Sequence, residues 1–182
     1  MKIAIISDVH NNEVNLKKVL DYCVREKIQT IICCGDLASK KTLDFLNDNF
    51  SLQGSTLSRS KVEPWDPVIH YVFGNMDNDH LKNLELMGEY KNTIIYQNFG
   101  EIEIGGAKIA FVHYPREAKE LCKTGKYNFV FYGHTHKPWE EMIGDCKILN
   151  PGNVAGEIYL PTFAVWNTEN NKFELIRIHA LK

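Results

Sequence analysis

Short apolar segments that each end at a polar side chain recur along this chain. Five such segments are followed by residues with oxygen or nitrogen donors, namely Asp8 and His10, Asp36, Asn75, His113, and His134 with His136. A β-strand that ends in such a residue delivers it to the carboxyl edge of a sheet, where open α/β folds build their sites. Carboxylate, amide and imidazole groups are ligands of divalent metals. The pattern therefore predicts an α/β protein in which several strand ends meet at one metal site.

Composition limits what this site can belong to. The chain has 182 residues, of which 44% are hydrophobic and 24% charged, and this fits one globular domain spanning residues 1–182. The formal net charge of -2, with no basic stripe, gives no strong nucleic-acid-binding signal, although a nucleotide substrate stays open. No segment approaches the roughly 18 apolar residues of a membrane span, so no membrane association is expected.

The five cysteines are an odd number, and because Met1-Lys2 runs straight into a short predicted strand, we expect no signal peptide. We therefore expect a cytoplasmic protein in a reducing environment. Adjacent Cys33 and Cys34 would point to opposite faces of one strand, which favours structural burial over metal binding.

Hydrophobic periodicity predicts a βαβα opening followed by a strand-rich second half. The opening comprises a strand at Lys2–Ile6, a helix capped by Asn12, a strand at Thr30–Cys34 and a helix at Lys40–Phe50. Residues 51–66 are predicted to form a loop insertion. Later elements are predicted as a strand at Pro67–Phe73, a helix at Asn78–Glu89, a hairpin turning at Gly105-Gly106, a helix at Pro115–Lys123, and strands at Ile94–Phe99, Phe129–Tyr132, Glu140–Leu149, Glu157–Trp166 and Lys172–His179.

Each polar residue has an ordinary explanation when it is taken alone. Asp36 and Asn75 follow glycines and suit turns or helix caps, and His113 suits a strand-end histidine. Asp8 and His10 are two residues apart, which on an extended strand would place both on one side. His134 and His136 have the same spacing. The coincidence at five strand ends favours a shared metal site over five separate turns and caps.

As a set, the motifs resemble those of the calcineurin-like metallophosphoesterases. The resemblance spans residues 1 to about 152 and is carried by Asp8-Val9-His10, Gly35-Asp36, Gly74-Asn75-Met76-Asp77, His113, Gly133-His134-Thr135-His136 and Asn150-Pro151-Gly152. The short chain is most similar to the small single-domain phosphodiesterases of bacteria and archaea. This resemblance implies a four-layer αββα sandwich, in which two mixed β-sheets are flanked by helices and the site lies at one end.

The resemblance also implies a dinuclear metal centre. One divalent ion would be held by Asp8, His10, Asp36 and His136, and a second by Asp36, Asn75, His113 and His134. Asp36 would bridge the ions, and a metal-bridging hydroxide would attack the phosphodiester with Asp36, Asn75 and His134 in catalytic roles. The N and O ligands suit manganese, our first expectation, and also iron, zinc or nickel. The expected partner is a small-molecule phosphodiester or nucleotide substrate. The sequence leaves the oligomeric state open, although small family members often form dimers or higher assemblies.

Two departures from the family pattern refine this expectation. Met76 stands where many relatives carry a histidine that assists the leaving group, and a thioether cannot donate a proton. We therefore expect a phosphodiesterase suited to leaving groups of low pKa. His80 is a candidate replacement acid, although a plain surface histidine is the more ordinary interpretation.

The second departure follows His113, where Tyr114-Pro115 replaces the Gly-His of relatives. Tyr114 or Arg116 could approach the substrate phosphate instead, and Asn11 is a further candidate for a phosphate contact.

A binding function is the alternative hypothesis. The retromer subunit of the same fold holds protein partners and shows little or no hydrolysis, so a catalytically weak, metal-binding interaction module is conceivable. All seven ligand positions are filled in this chain, and this favours the enzyme.

Overall fold

The structure is a computed structural model that describes residues 1–56, 66–77 and 90–181, with the backbone alone over 51–56. Its elements in chain order are β1 (Lys2–Ile6), α1 (Glu13–Arg25), β2 (Thr30–Cys33), α2 (Lys40–Thr56), β3 (Val68–Val72), β4 (Thr93–Tyr96), β5 (Gly100–Ile104), β6 (Ala107–Phe111), α3 (Pro115–Lys123), β7 (Phe129–Phe131), β8 (Trp139–Ile143), β9 (Cys146–Asn150), β10 (Thr162–Asn167), β11 (Lys172–Arg177) and a 3-10 helix at Ile178–Ala180.

The strands form two mixed sheets. Sheet I has the order β11-β10-β1-β2-β3-β4, and sheet II has the order β5-β6-β7-β9-β8. In sheet I, β1 to β4 run parallel, β10 is antiparallel to β1, and β11 at the edge is antiparallel to β10. In sheet II, β6, β7 and β9 run parallel, while β5 and β8 form antiparallel edges. The parallel strands of each sheet therefore end at one edge.

Burial on alternate faces of the strands builds four layers. In β1, Ala4 and Ile6 join a core with helices α1 and α2, whereas Ile3 and Ile5 face the space between the two sheets. That inner core also holds an aromatic cluster that includes Trp166, whose ring packs against Phe129, Phe131 and Phe173. On the outer face of sheet II, a third core packs against α3. The predicted αββα sandwich is confirmed.

Several local predictions are also confirmed. Asn12 caps α1, because its side chain accepts a hydrogen bond from the N–H of Asn15 at 3.0 Å. Cys33 packs in the helix-side core and Cys34 between the sheets, and both are fully buried, as expected for structural thiols. Burial raises the pKa of both thiols, which keeps them protonated.

Other element predictions are wrong in their boundaries. Helix α2 continues to Thr56, six residues into the predicted loop 51–66, while residues 57–65 lie outside the described part of the chain. The single strand predicted at Glu140–Leu149 is a hairpin, since β8 and β9 pair across a turn at Gly144, where φ is 61°. Residues 157–161 precede β10 rather than belonging to it. The helix predicted at Asn78–Glu89 falls outside the described residues.

Within the described ranges, no helix combines the length and the apolar character needed to cross a membrane.

Candidate metal centre

The seven predicted ligands lie together at one end of the two sheets. β1, β2 and β3 are adjacent parallel strands, and the segments that follow them carry the ligands of the first half of the chain. In sheet II, β6 and β7 are likewise adjacent and parallel, and they precede the three remaining histidines. The carboxyl edges of both sheets therefore meet at one site.

Asp8 is the centre of the first group of contacts. Its Oδ1 lies 3.8 Å from Nε2 of His10 and 3.4 Å from Nε2 of His136. Donor atoms of these three residues all fall within 4.8 Å of one another. His136 is buried, and Asp8 is fully buried. This group contains three of the four ligands predicted for the first ion.

Asp36, the fourth ligand predicted for the first ion, lies between that group and the second. Its Oδ2 is 3.7 Å from Nε2 of His10 and 3.3 Å from Nε2 of His113. Its Oδ1 accepts the backbone N–H of Met76 at 2.7 Å. One carboxylate oxygen of Asp36 therefore faces histidines from both sheets. Asp8 also lies within reach of this second group, because Asp8, Asp36 and His113 have donor atoms within 4.8 Å of one another.

Asn75 joins the remaining histidines. Its Oδ1 lies 3.0 Å from Nε2 of His113 and 2.9 Å from Nδ1 of His134. The two histidine rings are in edge contact, with their centroids 5.1 Å apart. Asn75, His113 and His134 thus converge as the resemblance implies. His134 contacts Asn75 whereas His136 lies beside Asp8, so the two side chains do not face one side as their spacing alone predicted.

The backbone conformation explains why His134 and His136 face different groups of residues. Five of the ligands have left-handed backbone conformations, with φ of 52° at Asp8, 47° at His10, 58° at Asp36, 69° at His134 and 59° at His136. Side-chain-bearing residues rarely adopt this region, and its strain is typical of functional sites held by the surrounding structure. The predicted ligands lie in tight turns after the strands, and residues two apart face one side only in an extended chain.

Two glycines let these turns approach one another. A Cβ at Gly74 would lie 2.1 Å from Oδ1 of Asp36, and a Cβ at Gly35 would lie 2.5 Å from Nδ1 of His113. Gly35 also has a φ of 100°, in the region that favours glycine. The glycines before Asp36 and Asn75 are therefore required by close packing around the ligands.

Asp77, the last residue of the Gly74-Asn75-Met76-Asp77 motif, has a structural role in the site that was not predicted. Its Oδ2 accepts the backbone N–H groups of Asp36 at 2.9 Å and Gly74 at 2.6 Å, and its Oδ1 accepts that of Ala38 at 2.9 Å. Its side chain is buried. The carboxylate thus joins the turns after β2 and β3, where two of the ligands lie. The position directly after Gly74-Asn75-Met76 was the available sequence signal.

Two asparagines hold the turn after β7 by donating hydrogen bonds to its carbonyl groups. Asn150 donates to the carbonyl of Gly133 at 2.8 Å, and Asn153 donates to the carbonyl of His136 at 3.1 Å. Both side chains are buried. The Asn150-Pro151-Gly152 motif thus supports the segment that carries His134 and His136.

The electrostatics of the site reflect close packing of opposite charges. Burial opposes ionisation of Asp8, but contacts with His10 and His136 outweigh it and hold the pKa of Asp8 well below its usual value. Contact with Asp8 raises the pKa of His10, although burial opposes this. Burial would lower the pKa of His113, but Asp36 beside it raises that pKa overall. The site is an anionic pocket that stabilises positive charge.

The donor set fits divalent cations. Nε2 of His10 is buried without a hydrogen-bond partner, as expected for a nitrogen that faces a cation. Nδ1 of His113 lies 2.8 Å from the carbonyl oxygen of Cys34, so its N–H can donate there and leave the Nε2 lone pair facing Asp36. Metal-binding histidines commonly have such a backbone partner. These residues can therefore hold divalent metal.

The other predicted contact residues have mixed outcomes. Tyr114 lies at the rim of the centre, with its ring centroid 5.0 Å from that of His113 and 4.9 Å from that of His134. Arg116 is exposed in the first turn of α3. The Asn11 side-chain oxygen already accepts from the hydroxyl of Thr42 at 2.7 Å. Met76 is 51% exposed, and His80 lies outside the described residues.

The sequence profile of the calcineurin-like phosphoesterase superfamily domain matches residues 1–171. The chain belongs to this superfamily. A phosphodiesterase of Methanocaldococcus jannaschii is 29% identical over 182 residues, covering 97% of this chain and 98% of that protein. The turns that carry the predicted ligands thus lie in a calcineurin-like phosphoesterase domain.

Solved structures agree with this assignment. The structure of a novel archaeal phosphodiesterase matches with a TM-score of 0.78 and 28% identity, covering 97% of this chain and 99% of that one. Vps29 of Entamoeba histolytica, solved in complex with zinc, matches with a TM-score of 0.60 and 20% identity, covering 98% and 99% of the two chains. At that identity, the second match shows a shared fold alone.

Proposed function

We propose that this calcineurin-like phosphoesterase is a phosphodiesterase that works with two divalent metal ions, with manganese as the first candidate. The observation that carries the proposal is the position of Asp36, whose Oδ2 faces His10 at 3.7 Å and His113 at 3.3 Å. A carboxylate between two histidine groups is the arrangement that a bridging ligand requires. The phosphodiesterase of Methanocaldococcus jannaschii, which matches over nearly its whole length, supports the choice of reaction.

In this proposal, the ligands divide as the family pattern implies. Asp8, His10, Asp36 and His136 hold one ion, and Asp36, Asn75, His113 and His134 hold the other. Bound divalent ions would supply a water nucleophile of lowered pKa and neutralise the phosphoryl oxygens. His134, which is exposed, lies on the solvent side of the centre and could also contact the substrate phosphate.

Met76 determines which esters suit the enzyme. Its backbone N–H holds Asp36, and its side chain cannot protonate a leaving group. General acid assistance increases the reaction rate by about 100- to 10,000-fold, and esters with alkyl leaving groups depend on it most. We therefore propose a preference for phosphodiesters with leaving groups of low pKa. Single-domain organisation and cytoplasmic localisation belong to the same proposal.

An interaction module is the second candidate, because the Vps29 structure shares the fold. A module of this kind would bind metal without turning over substrate. The presence of a suitable residue at all seven ligand positions supports metal binding more directly than it supports turnover. A test of the function must therefore measure bound metal and the rate of hydrolysis together.

The experiment compares wild type with His134→Ala in manganese. Bis-p-nitrophenyl phosphate should be hydrolysed by wild type, and simple alkyl monoesters more slowly. His134→Ala should lower kcat/KM for the diester by about a hundredfold or more. Mutation of residues that only support metal ligands already lowers metal affinity or activity by about 10- to 100-fold. Bound metal is measured on both proteins by elemental analysis.

His179→Ala is the matched control, because His179 is exposed in the terminal 3-10 helix and is not one of the predicted ligands. It should retain the wild-type rate. Metal bound equally in all three proteins with no difference in rate would favour the interaction module. Faster hydrolysis of alkyl monoesters than of the diester would contradict the proposed preference.

A further inference from the structure

A groove of about 960 Å³ opens beside the candidate metal centre. It lies between α3 and the loop joining β4 to β5, and we call it the side groove. Gly74 and His113 line its inner end, so it begins at the turns that carry the ligands. Its other described walls include Phe73, Phe99, Tyr114 and Arg116.

The size of the side groove exceeds what the reacting phosphate needs. Sites for organic ligands typically occupy about 300 to 1,000 Å³. A phosphate group would sit at the ligand turns, so the groove is available for one of the two ester arms of a phosphodiester. Its volume suits an arm with ring systems better than a methyl or ethyl group.

The lining favours a flat aromatic ring in that arm. Phe99 is 45% exposed and Tyr114 is 37% exposed, although large aromatic side chains are stabilised by burial. The Tyr114 ring is braced by its edge contacts with His113 and His134. A fixed and partly exposed ring is the kind of surface on which nucleobases stack.

The polar part of the lining suits the edge of a base better than a second phosphate. Arg116 is the one lysine or arginine among the described lining residues, and Glu117 and Glu120 oppose its charge. Two carboxylates disfavour a further phosphate group by like-charge repulsion. Gln97, Asn98 and Thr124 offer neutral donors and acceptors.

We propose that the side groove binds the nucleoside arm of a phosphodiester, with Phe99 and Tyr114 as the stacking surface for its base. The inference rests on the proposed function, since it names the substrate class of the same centre. It makes Phe99 and Tyr114 specificity-determining residues. The rings carry this role, so the hydroxyl of Tyr114 is dispensable for it.

The test uses binding of two probes that differ only in the base, AMP and ribose 5-phosphate, to the manganese-loaded protein. Their dissociation constants are measured by calorimetry, so the result does not depend on turnover. AMP should bind about tenfold or more tightly than ribose 5-phosphate, because base–aromatic stacking contributes on this scale. Phe99→Ala and Tyr114→Ala should each reduce that ratio severalfold, whereas Tyr114→Phe should preserve it.

Trp139→Ala is the matched control, since Trp139 is 49% exposed but lies on β8 outside the groove. It should keep the wild-type ratio. Equal binding of AMP and ribose 5-phosphate to wild type would overturn the proposal, as would a ratio that Phe99→Ala leaves unchanged. Hydrolysis of bis-p-nitrophenyl phosphate with equal binding would refute the groove assignment alone. A base-dependent ratio without any diester hydrolysis would refute the proposed reaction alone.

Discussion

At the scale of single residues, the ligand turns depend on side chains that do not themselves face the metal site. Asp77 is the clearest case, because one buried carboxylate accepts three backbone N–H groups from two turns. Carboxylates accept such bonds strongly, and a buried N–H left without an acceptor is costly. The positions of Asp36 and Asn75 therefore depend in part on the Asp77 side chain, which holds the backbone of both turns.

Asp77→Asn should weaken both metal binding and folding. An amide has one acceptor oxygen, and its NH₂ group would face backbone N–H donors, so at least one of the three bonds is lost. We expect a loss of about 1 to 3 kcal/mol in the free energy of unfolding. We also expect about 10- to 100-fold weaker metal binding, the range found for supporting residues of metal sites.

Urea unfolding and metal titration measure the two effects of Asp77→Asn. Asp145→Asn is the control, because Asp145 is exposed in the β8–β9 turn and should change neither quantity. Wild-type metal affinity in Asp77→Asn would show that the three hydrogen bonds do not position the ligands.

At the scale of elements, α3 connects the side groove to the rest of sheet II. Its N-terminal part carries groove residues, and its last turn is joined to β9 by a disulfide between Cys122 and Cys146. The bond runs against the expectation of a reducing environment, in which disulfides are rare. The two cysteines are 24 residues apart in sequence and meet only because α3 packs on β9.

Reduction of this disulfide should destabilise the protein. Opening a closed loop of this length is expected to cost about 3 kcal/mol, because the unfolded chain regains conformational freedom. Urea unfolding of wild type with and without dithiothreitol measures the change. The double variant Cys122→Ser/Cys146→Ser is the control, and its stability should not respond to reductant. Equal stability of oxidised and reduced wild type would contradict this expectation.

At the scale of the whole molecule, stability depends on the contact between the two sheets. His70 of β3 lies in this region, with its ring against Phe111 of β6 and its Nδ1 3.0 Å from the hydroxyl of Tyr96. It is only 8% exposed. Burial lowers its pKa from the ordinary 6.5 to about 4, so the folded protein keeps this histidine neutral.

The His70 pKa predicts a pH-dependent contribution to stability. Between pH 6.5 and about 4, the unfolded chain binds a proton at His70 that the folded protein does not, so stability falls as the pH falls through this window. The full shift corresponds to about 3 kcal/mol.

His70→Phe isolates this effect, because it removes the proton and keeps an apolar ring between the sheets. As the pH is lowered through the window, the unfolding free energy of wild type should fall relative to that of His70→Phe. A difference that stays constant over the window would mean that His70 titrates normally in the folded protein.

The amino-acid sequence by itself determined which polar residues would converge and that the fold is of the α/β class. Both follow from local patterns, since apolar periodicity selects the elements and a polar residue after a strand reaches the sheet edge. The four-layer sandwich and the division of the predicted ligands between two ions were implied by the family resemblance. The convergence of Asp8, Asp36 and His113 was therefore predictable without coordinates. Local patterns also predicted that Asn12 caps a helix and that Cys33 and Cys34 face opposite sides of their strand.

Only the tertiary structure decided how these ligands are held. The left-handed turns at Asp8 and His136 are strained, and contacts with distant segments stabilise them. Asp77 reaches the N–H of Asp36 across 41 residues, a contact that no short-range pattern encodes. The disulfide and the side groove likewise join segments that are far apart in sequence. Sequence patterns report on neighbours along the chain, whereas positioning and specificity arise here from neighbours in space.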